Sequence, residues 1–293
     1  MATNSDVSSP FKKVQIERDN STFDAYVIGR DDAPGIVVLH EWWGVDFEIK
    51  NHAQKIVGFD KGYKALIPDL YRGRVGLNAA EAQHLMDSLD WKGAVKDIEA
   101  SVNWLKAEGS KKVGVTGFCI CSALAIASSV LVPGIDAVVS FYGVPSCELA
   151  DVIKAKAPVQ AHFGQLDTFV GFSDVETVRS LQYELWRAGE NYENEVFVYK
   201  GVGHAFMNRS PEAIERRKRM GINDENAEAA SIQRLSSLNL ARAQPRDAHG
   251  HSMSTAFGSA QSVAPITPSE CRQRPTSPSQ PRRTRRAQQL EYV

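Results

Sequence analysis

Residues 113–122, with the sequence VGVTGFCICS, constrain the fold of this chain more than any other stretch. A short apolar run with two glycines leads into a turn, and residues 123–132 are apolar enough for a buried helix. Cys119 at such a strand-to-helix turn would be raised above the sheet, beside the free N–H groups and positive end of the helix. The cysteine is therefore either an exposed nucleophile or one more small buried residue, as most free cysteines are.

Length and composition indicate an ordinary soluble protein. With 293 residues and a hydrophobic fraction of 43%, the chain has room for one large α/β domain or two small ones. The first residues are polar and no apolar run reaches the length of a membrane span, so we expect neither a signal peptide nor membrane association. Four cysteines are too few for a disulfide framework in a chain of this length. We predict a cytoplasmic protein.

Apolar runs alternate with amphipathic segments from about residue 10 to residue 220. Two β-like runs at 14–17 and 22–28 predict an opening hairpin. Buried strands are predicted at 35–40, 63–67, 113–118, 137–140, 159–163 and 196–199, and helices at 47–59, 78–88, 91–107, 123–132, 177–188 and 211–221. This alternation predicts an α/β fold with a doubly wound, mainly parallel sheet flanked by helices.

Four polar residues follow predicted strands, namely Glu41, Cys119, Asp167 and His204. Ligands of open α/β sheets bind beyond the carboxyl ends of the strands, where all four would lie. Taken alone, each has an ordinary explanation: Glu41 as a solvated loop charge, Asp167 as a turn residue and His204 as a loop histidine. Their chain order of nucleophile, acid and histidine is the order that α/β-hydrolases use, which favours a catalytic site.

The chemistry of these residues is consistent with acyl transfer. His204 would take the proton of the Cys119 thiol, and Asp167 would fix the imidazole tautomer and stabilise its cation. The backbone N–H groups of Ile120 and Trp42 would hold the developing oxyanion. The predicted reaction is the hydrolysis of an ester or lactone through a thioester intermediate. The Cys119–Cys121 spacing is too tight for a zinc pair, so we predict no metal.

Residues 10–220 resemble the dienelactone hydrolase (carboxymethylenebutenolidase) family of α/β-hydrolases. The motifs are HEWWG at 40–44, PDLY at 68–71, GFC at 117–119, FYG at 141–143, GQLD at 164–167 and GHAF at 203–206. The resemblance implies a triad of Cys119, His204 and Asp167, which Glu41 assists when substrate binds, and it implies no cofactor. Substrate contacts are expected at Trp43, Tyr71, Tyr142, Phe206 and Arg209.

The chain departs from the family pattern at the turn and at the substrate contacts. The two glycines that follow the nucleophile in the family are replaced by Cys121 and Ser122. Glycine at the first position allows close approach to a neighbouring strand, and a side chain there could tilt the nucleophile. Bacterial members hold a substrate carboxylate with two arginines, and Asn208 stands where one of them is expected. A catalytically impaired hydrolase fold that binds a small hydrophobic ligand is therefore the alternative.

Residues 231–293 differ in composition from the rest of the chain. They contain nine Arg, no Lys and three acidic residues, a net charge of +6, and they are rich in Ser, Pro and Gln. Such a composition cannot bury enough apolar surface to become ordered. We predict a flexible N-terminus over 1–9, a hydrolase domain over 10–230 and a disordered basic tail over 231–293. The basic residues at 281–286 are an alternative nucleic-acid-binding patch. We expect a small ester or lactone, and not nucleic acid, as the binding partner.

Limited proteolysis tests the predicted tail. Proteases cut flexible exposed chain first, so dilute trypsin should remove the residues beyond about 240 and leave a resistant core. Mass spectrometry of the intact fragments would locate the cuts. A full-length chain that survives the same treatment would contradict a disordered tail.

Overall fold

The computed structural model describes residues 9–59, 62–188 and 194–222, and the predicted tail lies outside these ranges. The strands are β1 Lys12–Arg18, β2 Ser21–Ile28, β3 Gly35–Leu39, β4 Lys64–Pro68, β5 Val113–Phe118, β6 Ala137–Phe141, β7 Val159–Gly164 and β8 Glu195–Tyr199. The helices are α1 Phe47–Val57, α2 Ala79–Asp87, α3 Trp91–Ala107, α4 Ile120–Leu131, α5 Val175–Ala188 and α6 Pro211–Arg219. No helix in the described part of the chain is long and apolar enough to cross a membrane.

The strands form one sheet in the order β1-β2-β4-β3-β5-β6-β7-β8. β1 and β2 form an antiparallel hairpin with Arg18 opposite Ser21, so the loop has two residues. Its first residue, Asp19, has φ 50°, a conformation that Asp and Asn tolerate in tight hairpin turns. β2 also pairs antiparallel with β4, and every other pair of neighbouring strands is parallel. The predicted hairpin and mainly parallel α/β fold are confirmed.

Both faces of the sheet are covered, as parallel strands require. Successive side chains of β3 point to opposite faces, so Val37 packs in one hydrophobic cluster and Val38 in another. The first cluster includes apolar residues of α3, α4 and α5. The second includes apolar residues of α1 and of the segment that follows β8. The segment after β8, which contains His204, is thereby held against the sheet.

A ladder of stacked rings crosses the second face of the sheet. His52 of α1 lies on Phe118, which stacks on Phe141, at centroid distances of 4.5 and 4.9 Å. His162 continues the ladder at 4.8 Å from Phe141, and Phe197 lies 5.3 Å from His162. Burial lowers the pKa of His52 to about 3, so its ring stays neutral and stacks like the phenyl rings.

The backbone is closely packed where β5 turns into α4. A Cβ atom on Gly117 would contact the backbone of Cys121, 2.7 Å from its carbonyl carbon. A Cβ atom on Gly143, after β6, would contact the Cys119 carbonyl oxygen and lie 2.6 Å from the Phe172 ring. α4 begins at Ile120, three residues before the predicted start. Cys119 is the N-cap residue, so the helix follows the turn directly.

We expect Gly117→Ala to lower the free energy of unfolding by roughly 1–3 kcal/mol, because a helix backbone cannot move aside as a side chain would. Chemical denaturation would measure the change. Gly58→Ala is the matched control: Gly58 has φ −77°, the nearest atom to its Cβ would lie at 3.5 Å, and the expected change is within about 0.5 kcal/mol. Equal losses in the two variants would contradict the packing argument.

Candidate active site

Cys119 lies on the turn between β5 and α4 with φ 51° and ψ −121°. Its backbone N–H donates to the carbonyl of Phe141 at 3.1 Å, and its carbonyl accepts from the N–H of Ser122 at 3.0 Å. The residue is 7% exposed. The turn therefore places the thiol at the carboxyl end of β5, beside the N-terminus of α4.

The structure brings Cys119, His204 and Asp167 together from three separate strand ends. His204 Nε2 lies 3.3 Å from Cys119 Sγ, and His204 Nδ1 lies 2.6 Å from Asp167 Oδ2. Burial disfavours the charged imidazole, but the negative charges of Asp167 and Cys119 and the hydrogen bonds to both raise the pKa of His204 to about 10. A pKa of about 10 favours a protonated imidazole at neutral pH.

The loop after β7 fixes the orientation of Asp167 and His204. Asp167 Oδ1 accepts a hydrogen bond from the Phe169 N–H at 3.2 Å. Ser173 Oγ lies 3.3 Å from His204 Nδ1, and the Phe169 ring centroid lies 4.5 Å from the His204 ring. Ser173 and Phe169 were not predicted as site residues, because their polar and aromatic side chains carry no motif of their own.

Glu41 is a buried, hydrogen-bonded carboxylate in this structure. The residue is 8% exposed, and Tyr142 Oη donates to its Oε1 at 2.9 Å. Asn208 Nδ2 donates to its Oε2, also at 2.9 Å. Burial raises the pKa of Glu41, while the hydrogen bonds from Asn208 and Tyr142 oppose that change. The explanation as a solvated loop charge does not describe this residue.

Tyr142 and Phe206, both expected as substrate contacts, are fully buried behind the triad. Their rings lie 5.1 Å apart, and the Tyr142 ring lies 5.0 Å from that of His204. Burial, followed by the charge of Glu41, raises the pKa of Tyr142 well above its ordinary value, so its hydroxyl remains a hydrogen-bond donor. Tyr142 therefore contacts both His204 and Glu41, and Phe206 packs against Tyr142.

The remaining predicted substrate contacts are Trp43, Tyr71 and Arg209. Trp43 is half-buried, with its ring 5.0 Å from that of Trp42. Tyr71 is buried, and its ring lies 4.7 Å from that of His40. The backbone N–H of Arg209 donates to a side-chain oxygen of Glu48 at 3.3 Å.

Ile120 and Trp42 are the two residues predicted to form an oxyanion hole. Ile120 is the first residue of α4, where backbone N–H groups have no partner within the helix. Trp42 belongs to the turn after β3, in which the Gly44 N–H donates to the Glu41 carbonyl at 3.4 Å. That carbonyl also lies 2.6 Å from His40 Nδ1, which fixes the turn from its other side.

The side chains that replace the family glycines are accommodated in the core. Ser122 Oγ donates to the Gly143 carbonyl at 2.8 Å and lies 2.5 Å from Ser140 Oγ, so its hydroxyl is satisfied. Cys121 is fully buried, with its sulfur 4.0 Å from His40 Nδ1. Burial raises the pKa of the Cys121 thiol well above its ordinary value, and the nearby Cys119 and Glu41 raise it further. Cys121 is therefore a neutral packing residue.

A cavity of about 510 Å³ lies between the loop after β4 and α2, lined by Arg74, Val75, Ala80, Glu81, His84 and Leu85. None of the predicted site residues lines it. The N–H of Gly76 donates to the Trp43 carbonyl at 2.9 Å, which brings this loop against the turn after β3. We assign no chemical step to this cavity.

Comparison with known proteins places these features in a family. A sequence model of the dienelactone hydrolase family matches residues 23–240. Protein usf of Aquifex pyrophilus is 34% identical over 191 residues, which are 62% of this chain and 80% of that protein. A carboxymethylenebutenolidase of Pseudomonas putida is 30% identical over 207 residues, 66% of this chain and 84% of that protein.

Solved structures agree with the fold. A putative dienelactone hydrolase from Klebsiella pneumoniae superposes with a TM-score of 0.64 at 20% identity, covering 79% of this chain and 98% of that one. A dienelactone hydrolase-like promiscuous phosphotriesterase from metagenomic libraries has a TM-score of 0.63 at 20% identity, covering 80% of this chain and 100% of that one. Since the family model covers well over half of the chain, the resemblance noted in the sequence is confirmed: the chain belongs to the dienelactone hydrolase family, hydrolases of the α/β-hydrolase fold.

Proposed function

We propose that this protein hydrolyses a small ester or lactone through a thioester on Cys119, with His204 and Asp167 completing the triad. The observation that carries the proposal is the continuous contact from Asp167 Oδ2 through the imidazole of His204 to Cys119 Sγ, at 2.6 and 3.3 Å. A relative named carboxymethylenebutenolidase, from Pseudomonas putida, supports the substrate class.

The first half-reaction forms the thioester. The Cys119 thiolate attacks the carbonyl carbon, a C–S bond forms, and the carbonyl oxygen takes the negative charge. The N–H groups of Trp42 and Ile120 donate to that oxygen. The tetrahedral intermediate collapses, the C–O bond to the alcohol breaks, and His204 gives its proton to the departing alkoxide. In a lactone this alkoxide stays attached to the acyl group.

The second half-reaction releases the acid. His204, now neutral, takes a proton from water, and the hydroxide attacks the thioester carbonyl. Collapse of the second tetrahedral intermediate breaks the C–S bond and restores the thiolate beside the imidazolium. Asp167 keeps Nδ1 protonated throughout, so that Nε2 faces the reacting atoms in both half-reactions.

Glu41 is proposed to control the charge of the thiol before substrate binds. Its carboxylate accepts hydrogen bonds from two neutral donors, Tyr142 and Asn208. A negative charge near Cys119 disfavours the thiolate. Substrate binding would shift the protonation equilibrium of Cys119 toward the thiolate, which then attacks the substrate carbonyl.

Replacement of individual cysteines tests the nucleophile. We expect Cys119→Ala to abolish turnover of p-nitrophenyl butanoate and the burst of p-nitrophenol, while Cys147→Ala leaves both unchanged. Cys121→Ala should be near neutral, because that thiol is fully buried in the core beside His40. Loss of activity in Cys121→Ala with retention in Cys119→Ala would show that the site is misassigned. A folded wild-type protein with neither turnover nor a burst would favour the catalytically impaired, ligand-binding alternative.

Replacement of Glu41 tests the proposed control of the thiol. Glu41→Gln keeps the size and removes the charge, so we expect slower turnover of a lactone and faster alkylation of the resting Cys119 by iodoacetamide. The alkylation rate at neutral pH should rise roughly three- to tenfold. Glu148→Gln, which removes an exposed charge, is the control and should change neither rate. Superimposable alkylation profiles and equal turnover in Glu41→Gln and wild type would remove Glu41 from the mechanism.

A further inference from the structure

Helix α6 carries four consecutive basic residues, Arg216, Arg217, Lys218 and Arg219. A charged run of this kind is expected to face solvent, yet Arg217 is only 4% exposed. A buried guanidinium is costly unless its N–H groups are hydrogen-bonded. The contacts of its two terminal nitrogens therefore indicate why the fold keeps Arg217.

Arg217 reaches across to the segment that carries the catalytic histidine. One terminal nitrogen donates to the carbonyl of Ala205 at 3.0 Å, and the other donates to the carbonyl of Asn208 at 2.6 Å. Ala205 directly follows His204 and has φ 54°, an unfavourable conformation for a residue with a side chain. Arg217 thus holds both ends of a strained turn.

The two ends of this turn lead to two different parts of the site. At one end His204 contacts Cys119 through Nε2. At the other end the Asn208 side chain donates to Glu41. A displacement of the turn would move the imidazole and the Glu41 contact together.

Ile222, just after α6, also holds the turn that follows β8. The N–H of Ile222 donates to the Arg217 carbonyl at 3.0 Å. The Ile222 side chain packs against Gly203, where a Cβ atom would lie 2.7 Å from Ile222 Cδ1. The chain after β8 is therefore held at Gly203, Ala205 and Asn208 by one short segment around the end of α6.

We propose that Arg217 is a positioning residue, which holds His204 and Asn208 in their working geometry through the carbonyls of Ala205 and Asn208. The inference rests on the proposed function for its catalytic consequence. The planar fork of arginine donates along two fixed directions, which matches two carbonyls three residues apart. A lysine ammonium has the charge without that geometry, so Arg217→Lys is not a conservative change at this position.

The test uses the full-length protein and two variants, Arg217→Lys and Arg217→Met. We expect kcat for p-nitrophenyl butanoate to fall at least 30-fold in Arg217→Met and about tenfold in Arg217→Lys, with KM changed less than threefold. Alkylation of Cys119 by iodoacetamide at pH 7, followed by mass spectrometry of its peptide, should slow about tenfold in Arg217→Met, because a displaced His204 no longer takes up the thiol proton. This readout does not require turnover.

Lys218→Met is the matched control, since it removes one positive charge from the exposed face of the same helix. It should match wild type in kcat, alkylation and thermal unfolding. If Arg217→Met does not fold, Arg217→Lys decides the question. Wild-type kcat and alkylation in a folded Arg217→Lys, or equal losses in Lys218→Met, would overturn the positioning role. Wild type that turns over no ester, while alkylation still depends on Arg217, would overturn the proposed function and leave this inference standing.

Discussion

The left-handed backbone of Cys119 is the constraint on which the rest of the site depends. A residue with a side chain is unfavourable at φ 51°, and the turn persists because its surroundings determine it. The Cys119 N–H donates to the carbonyl of Phe141 in the next strand, and the turn packs so closely on Gly117 and Gly143 that neither position has room for a Cβ atom. Since the turn fixes the thiol, the loops after β7 and β8 complete the site by bringing Asp167 and His204 to it.

The parts of the site that lie directly after strands were predictable from sequence. Asp167 and His204 follow recognisable apolar runs, and parallel strands bring such positions to one edge of a sheet. The partners of Glu41 were not predictable in the same way, because Tyr142 and Asn208 lie 101 and 167 positions away and meet it only in the fold. Nothing in the basic run of α6 distinguishes Arg217 from Lys218, since helix phase and neighbours decide which side chain turns inward.

The altered turn shows which glycine the packing of α4 on its strand requires. From the sequence, Cys121 and Ser122 stand where the family keeps glycine, which raises the question of strain. In the structure the close approach between α4 and its strand occurs at the Cys121 backbone, opposite Gly117. The Cys121 side chain points to His40, and the Ser122 hydroxyl bonds to Gly143. The glycine that matters for this contact precedes the nucleophile.

The ring ladder across the sheet gives the fold a built-in sensitivity to acid. His52 stays neutral in the folded protein down to about pH 3, because burial lowers its pKa, whereas an unfolded chain binds that proton near the ordinary histidine value of about 6.5. Between these values the unfolded state binds more protons than the folded state, so acidification draws the equilibrium toward unfolding by up to about 1.4 kcal/mol for each pH unit. The stacked imidazole that joins α1 to the sheet is thus a stabilising contact at neutral pH and a source of instability in an acidified compartment.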